Sequence, residues 1–158
     1  MGDEKINDRH LITTSAGRHV WGSVRARTDA VDTAPPVVRV LLVDDSRTFL
    51  DIAETFLGLN GTVEIIGRAM SGGEALELVE RLAPDLVLMD LAMPGMNGLE
   101  ATRQLKACNI YPRVVILTLS EDIAYQKAAE EAGADGFIPK TEFANRVMPL
   151  LTRIMMLS

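Results

Sequence analysis

Four apolar runs in this sequence stop abruptly at residues able to do chemistry. Val37–Val43 gives way to Asp44-Asp45, Leu86–Met89 to Asp90, Val114–Leu117 to Thr118, and Gly136–Pro139 to Lys140. Three carboxylates brought close together repel, and each raises the pKa of its neighbours. A hard divalent cation removes that conflict. Mg²⁺ takes a few carboxylates, waters and phosphate oxygens, and Mn²⁺ accepts the same donors. Beside such a cation a carboxylate can attack phosphorus and form an acyl phosphate. A lysine supplies a point charge for one phosphoryl oxygen and a threonine hydroxyl a hydrogen bond for another. The chemistry these residue types suit is phosphoryl transfer, with Asp90 as nucleophile.

Whether the residues meet depends on the elements that carry them. Val37–Val43 is β-branched and almost wholly apolar, as a strand buried on both faces must be. Ser46 is placed to cap a helix in which Phe49, Ile52, Ala53, Phe56 and Leu57 recur at helical spacing. Val63–Gly67 reads as a second strand. Ser71 and Glu74 have capping-box spacing ahead of Ala75, Leu78, Val79 and Leu82, and Pro84 ends that helix. Asp85–Met89 is a third strand. Asn97 caps a helix burying Leu99 and Leu105, and Val114–Leu117 is a fourth strand. Ser120 is expected to cap an alanine-rich helix whose inner side is Ala124, Ala128 and Ala132, with Gly133 as its stop. Gly136–Pro139 is a fifth strand, and Phe143–Leu157 a last helix in which Pro149 sits awkwardly unless the helix restarts there.

Strands alternating with helices imply an α/β fold: an open, doubly wound, five-stranded parallel sheet with five helices and right-handed crossovers. In the flavodoxin-like order 2-1-3-4-5 the first and third strands are neighbours, so Asp44, Asp45 and Asp90 converge at the carboxyl edge, where such sheets bind ligands.

Leu42-Val43-Asp44-Asp45-Ser46, Val87-Leu88-Met89-Asp90 with Met93-Pro94-Gly95-Met96-Asn97-Gly98, Ile116-Leu117-Thr118, and Gly136-Phe137-Ile138-Pro139-Lys140 together resemble the receiver domain of two-component response regulators. The resemblance covers residues 37–158. It implies that Asp90 is the phosphorylation site and that Asp44, Asp45, Asp90 and the backbone carbonyl of Ala92 bind Mg²⁺. It further implies that Thr118 and Phe137 form a switch pair and that Lys140 contacts the phosphoryl group. Phosphate would come from a histidine kinase or a histidine phosphotransfer protein, and the output would pass to a protein effector. The chain departs from the family pattern at Thr141, where many receivers have proline, and at Phe137, where tyrosine is frequent. It also carries Ala92 and Ser120 two residues past Asp90 and Thr118, where side chains that orient hydrolytic water are common. Slow self-dephosphorylation is the expectation.

Each residue also has a plainer reading. Asp44 and Asp45 can be an acidic capping turn, Thr118 a structural strand end and Phe137 a core aromatic. Cys108 reads as a small buried hydrophobe at the end of the third helix, unable to form an internal disulfide. His10 and His19 lack sequence partners.

Residues 1–36 show no sustained periodicity, end in Ala34-Pro35-Pro36, and carry five acids and five bases; they read as a disordered tail. The rest holds 17 acids and 11 bases, so the net charge of −6 resides there and repels phosphate backbones. Direct nucleic-acid binding is not expected. No apolar run approaches the ~20 residues of a membrane span, and a cytoplasmic location follows as the default. The alanine-rich helix, thinly anchored, is expected to shift on phosphorylation, and the last two helices, with Ile154-Met155-Met156-Leu157, to offer a partner or homodimer surface. The rival reading is a Mg²⁺-dependent phosphatase with an aspartate nucleophile, which needs a second acid and a substrate cap.

Overall fold

A computed structural model describes residues 9–13, 19–23, 37–108 and 112–156. Contacts divide the chain into two compact units, Met1–Pro36 and Val37–Ser158. In the first, β1 (Arg9–Thr13) pairs antiparallel with β2 (His19–Ser23), with Leu11 opposite Trp21. The expectation of a tail without structure differs at these two stretches. Leu11, Ile12, Val20 and Trp21 are residues that favour strands, and the ladder uses backbone groups, so it needs no one-faced periodicity. Ala34-Pro35-Pro36 and the remainder of this segment lie outside the described residues.

The second unit is built from β3 (Val38–Val43), α1 (Arg47–Gly58), β4 (Val63–Ala69), α2 (Gly72–Leu82), β5 (Leu86–Asp90), α3 (Gly98–Lys106), β6 (Arg113–Thr118), α4 (Ile123–Ala132), β7 (Gly136–Pro139) and α5 (Phe143–Met156). The sheet order is β4-β3-β5-β6-β7, all parallel, which is 2-1-3-4-5 within this unit. Strand alternation feeds two cores. Val40, Leu42, Leu86 and Leu88 meet Leu50, Ala53 and Leu57 of α1 and Val147 and Leu151 of α5. Leu41, Val43, Val87 and Met89 meet Ala75 of α2, Ala101 and Leu105 of α3 and Ala129 of α4 on the other face. A leucine as fully buried as Leu57 contributes roughly 1.5–3 kcal/mol. The two cores cover both faces of the sheet, and the strand pairing fixes which strand ends are neighbours.

The caps follow the sequence at three helices. Ser46, Ser71 and Asn97 each accept a hydrogen bond from the backbone N–H three residues on. At α4 the cap is Asp122, not Ser120: Asp122 accepts from Ala124 N at 2.9 Å, and Ser120 Oγ accepts from Asp122 N instead. The helix therefore begins later, and its inner residues are Ala129 and Ala132, while Ile123 is 77% exposed. Gly133 terminates it with φ +99°, a left-handed conformation in which a side chain is strained. Cys108 lies past α3 in a turn and is exposed, so its reading as a buried hydrophobe is wrong. Helix α5 runs through Pro149 without restarting. Both Pro149 and Asn145, whose carbonyl loses its intrahelical donor, are exposed, so water can satisfy that group. Leu157 lies outside the described residues.

Candidate phosphoryl-transfer site

Register delivers the polar residues to one edge. Val43 pairs with Met89, so Asp44 and Asp90 leave adjacent strands side by side. Asp90 pairs with Leu117 and Thr118 with Pro139, which brings Thr118 and Lys140 to the next two positions along the same edge. Carboxylate oxygens of Asp44, Asp45 and Asp90 lie within 4.8 Å of one another, a group able to hold a metal ion. Asp44 and Asp90 are buried, and Asp45 is exposed.

Lys140 Nζ sits 2.6 Å from Asp44 Oδ2 and 3.0 Å from Asp90 Oδ1. Asp44 Oδ1 accepts from Ser46 N at 2.8 Å. Its other oxygen, Oδ2, is buried and has no hydrogen-bond partner, its close contact being the ion pair with Lys140. Burial pushes the Asp90 carboxyl up to about 6; Lys140 opposes that rise and the Asp44 charge adds to it. For Lys140, burial works against the charged form, but the adjoining Asp44 and Asp90 carboxylates outweigh it and hold the ammonium above its usual range. A partly buried cation thus already sits among these carboxylates and pairs two of them.

Thr118 is buried, and its Oγ1 accepts from Ser120 N at 3.0 Å, leaving the hydroxyl hydrogen for a further acceptor. Phe137 is half-buried against the second core and lines a groove of about 200 Å³ with Gln126, Ala129, Arg146 and Leu150. Ala92 is exposed in the loop after β5. That loop is pinned by Leu91 and Met93, both buried, and by Gly98 N donating to Leu91 O at 2.8 Å. No cis peptide occurs among the described residues, so the chain passes from Lys140 to Thr141 in the trans form.

Two residues of the site carry no chemical signal in the sequence beyond a motif and a helical period. A Cβ on Gly98 would lie 2.1 Å from the backbone oxygen of Asp90, so the loop closes over the acceptor strand only with glycine there. Phe49 has the spacing of a core position in α1, yet its ring centroid is 4.5 Å from Lys140 Nζ. The Met96-Asn97-Gly98 motif marks that glycine in the sequence; nothing in a helical repeat signals a ring beneath a lysine.

Residues 40–152 match the family model described as the response regulator receiver domain. The chain belongs to the receiver domain family. Among curated relatives, this receiver is 37% identical over 113 residues to the transcriptional regulatory protein LiaR of Bacillus subtilis, covering 70% of this chain and 53% of LiaR. It is 41% identical over 108 residues to protein-glutamate methylesterase/protein-glutamine glutaminase 4 of Geobacter metallireducens, covering 67% of this chain and 31% of that enzyme. Among solved structures, the response regulator domain of Thermotoga maritima CheB superposes with a TM-score of 0.66 at 30% identity, over 77% of this chain and 95% of the other. The chain thus spans about half of LiaR and about a third of the methylesterase. Receiver domains are signalling modules of two-component systems, which work with histidine kinases and downstream effectors. Among the described residues no helix is long and apolar enough to cross a membrane.

Proposed function

We propose that residues 37–158 accept a phosphoryl group on Asp90 from a histidine kinase or histidine phosphotransfer protein, and that the modified state changes a protein-binding surface. The observation that carries this reading is the Lys140 ammonium bridging Asp44 and Asp90 at 2.6 and 3.0 Å on a buried strand edge. Ionic pairing of that kind costs desolvation and adds little stability, so it points to use rather than to folding.

The donor set fits a hard divalent ion. Asp44 Oδ2 is a buried carboxylate oxygen without a hydrogen-bond partner, and Asp45 and Asp90 supply neighbouring oxygens. Asp44, Asp45, Asp90 and the backbone carbonyl of Ala92 would hold Mg²⁺, or Mn²⁺ in its place. The ion, when bound, would supply positive charge against that of the transferred phosphoryl oxygens. The chain's own residues do the rest. An ionised Asp90 oxygen attacks phosphorus; the new O–P bond forms as the P–N bond of the donor phosphohistidine breaks, and that bond's electron pair returns to the imidazole nitrogen. Lys140 leaves Asp90 for a phosphoryl oxygen, and Thr118 donates its hydroxyl hydrogen to another.

For the output we assign α4 and the switch pair Thr118–Phe137. Helix α4 buries only Ala129 and Ala132, so little apolar area opposes its movement. Ile123 and Met156, 77% and 78% exposed, leave apolar surface on the last two helices for a protein effector or a second copy. LiaR is named as a transcriptional regulator over a length this chain half spans, so that relative lends no support to the expectation of no nucleic-acid contact. The expectation of no nucleic-acid contact applies to the acidic surface of residues 37–158, which would act in the cytoplasm beside its kinase.

Incubation with acetyl phosphate and Mg²⁺ tests the reading. A phosphorylated form that accumulates to one group per chain supports it. Continued turnover of excess acetyl phosphate with no accumulated form would identify a phosphatase instead.

A further inference from the structure

Lysine carries its charge on a flexible four-carbon stem, so a lysine at a reacting centre needs something to hold its head in place. Here the two carboxylates account for part of that. The remaining side of the ammonium faces the Phe49 ring, whose centroid is 4.5 Å from Nζ, inside the ~6 Å reach of a cation–π contact. Phe49 is itself fixed at both ends. Its backbone N–H donates to Ser46 Oγ at 3.2 Å in the first turn of α1, and its ring meets the edge of Phe143 at 5.5 Å and 73°. Phe143, which Phe56 supports at 5.9 Å, opens α5 at the end of the short turn Lys140–Glu142. Because Ser46 N also donates to Asp44 Oδ1, the contacts close into a ring: Asp44, Ser46, Phe49, Lys140 and back to Asp44.

We propose that Phe49 is a positioning residue for Lys140, its ring holding the ammonium between Asp44 and Asp90 at the place from which it meets a phosphoryl oxygen. The inference rests on the reading of Asp90 as phosphoryl acceptor. An aromatic face suits the task better than a third carboxylate. It attracts the cation without a directed hydrogen bond, so Nζ can turn from Asp90 Oδ1 to a new oxygen without losing contact. An aliphatic side chain of similar size would fill the space and leave the head held by carboxylates alone.

The test is a set of full-chain variants labelled with acetyl phosphate and Mg²⁺. Phe49→Leu keeps most of the apolar volume and is expected to slow labelling about ten-fold, because small misplacements at a reacting centre are costly. Phe49→Tyr restores the π face and is expected to recover most of the rate. In a Lys140→Met background Phe49→Leu is expected to change the rate by less than about two-fold, since the ring then has no cation to place. In the unmodified wild type, ring current from Phe49 should shift the Lys140 ε-methylene protons upfield, a signature independent of labelling and of how the variants fold. Equal slowing by Phe49→Leu in both backgrounds, failure of Phe49→Tyr to recover, or ε-methylene protons at their ordinary position would each overturn the inference. A wild type that takes no label on Asp90, with the ε-methylene shift intact, would instead overturn the reading of Asp90.

Discussion

Replacing Asp90 with Asn removes a buried negative charge while keeping the shape of the side chain. The Asp90 carboxyl is raised from 3.8 to about 6 chiefly by burial, with Lys140 only partly offsetting it. Folding therefore disfavours the ionised form. The folded state binds more protons than the unfolded state between those two values, so this group's contribution to stability falls as pH rises from about 4 to about 6 and is constant above. A rise from 3.8 to about 6 corresponds to about 3 kcal/mol at most, at ~1.4 kcal/mol for each tenfold change in proton affinity. In the presence of a chelator, Asp90→Asn should be about 2–3 kcal/mol more stable than wild type at about pH 7.5, and the difference should shrink toward zero near pH 4. Urea unfolding of both proteins at the two pH values measures it. Adding Mg²⁺ at the higher pH should stabilise the wild type more than Asp90→Asn, since a ligand stabilises only the state that binds it. An Asn variant no more stable than wild type with chelator at neutral pH would refute the idea that Asp90 is held ionised against its surroundings.

Other consequences can be checked individually. Gly98→Ala forces a Cβ toward the Asp90 backbone oxygen and should cost at least about 2 kcal/mol by denaturant unfolding, with slower labelling of the protein that remains folded. With Ala92 exposed after β5 and the Ser120 hydroxyl accepting from Asp122 N, neither is arranged like a carboxamide that orients water. The acyl phosphate isolated by rapid desalting should outlast minutes with Mg²⁺ present; decay within seconds would contradict this. Amide exchange over residues 120–132 should rise or fall on adding a phosphoryl mimic, because α4 buries only two alanines. Unchanged protection there would remove α4 from the output.

Much of this arrangement was legible in the sequence because its signals are local. The buried strands announce themselves as continuous apolar runs, and the polar residue at the end of each run marks the sheet edge. The common doubly wound order 2-1-3-4-5 then makes the first and third strands neighbours, which is why Asp44, Asp90, Thr118 and Lys140 are expected together at one edge. What the sequence concealed depends on three-dimensional orientation. Ser120 and Asp122 both suit a cap, and only the backbone path decides between them. Cys108 differs from a core residue by falling just beyond the end of α3, where helix-boundary reasoning is weakest. Phe49 has the spacing of a core position and partly is one, but the cation over its ring comes from a strand end 91 positions later. The antiparallel pairing of β1 and β2 uses backbone groups that no side-chain period reports.

The most direct measurement is the location of the phosphoryl group after incubation with acetyl phosphate and Mg²⁺. Intact-mass and peptide analysis of the wild type should find one group per chain, sensitive to hydroxylamine as an acyl phosphate is, on the peptide containing Asp90; Asp90→Ala should take none. Equal labelling of Asp90→Ala, or a label mapped to any other residue, would contradict the assignment of Asp90 as the acceptor.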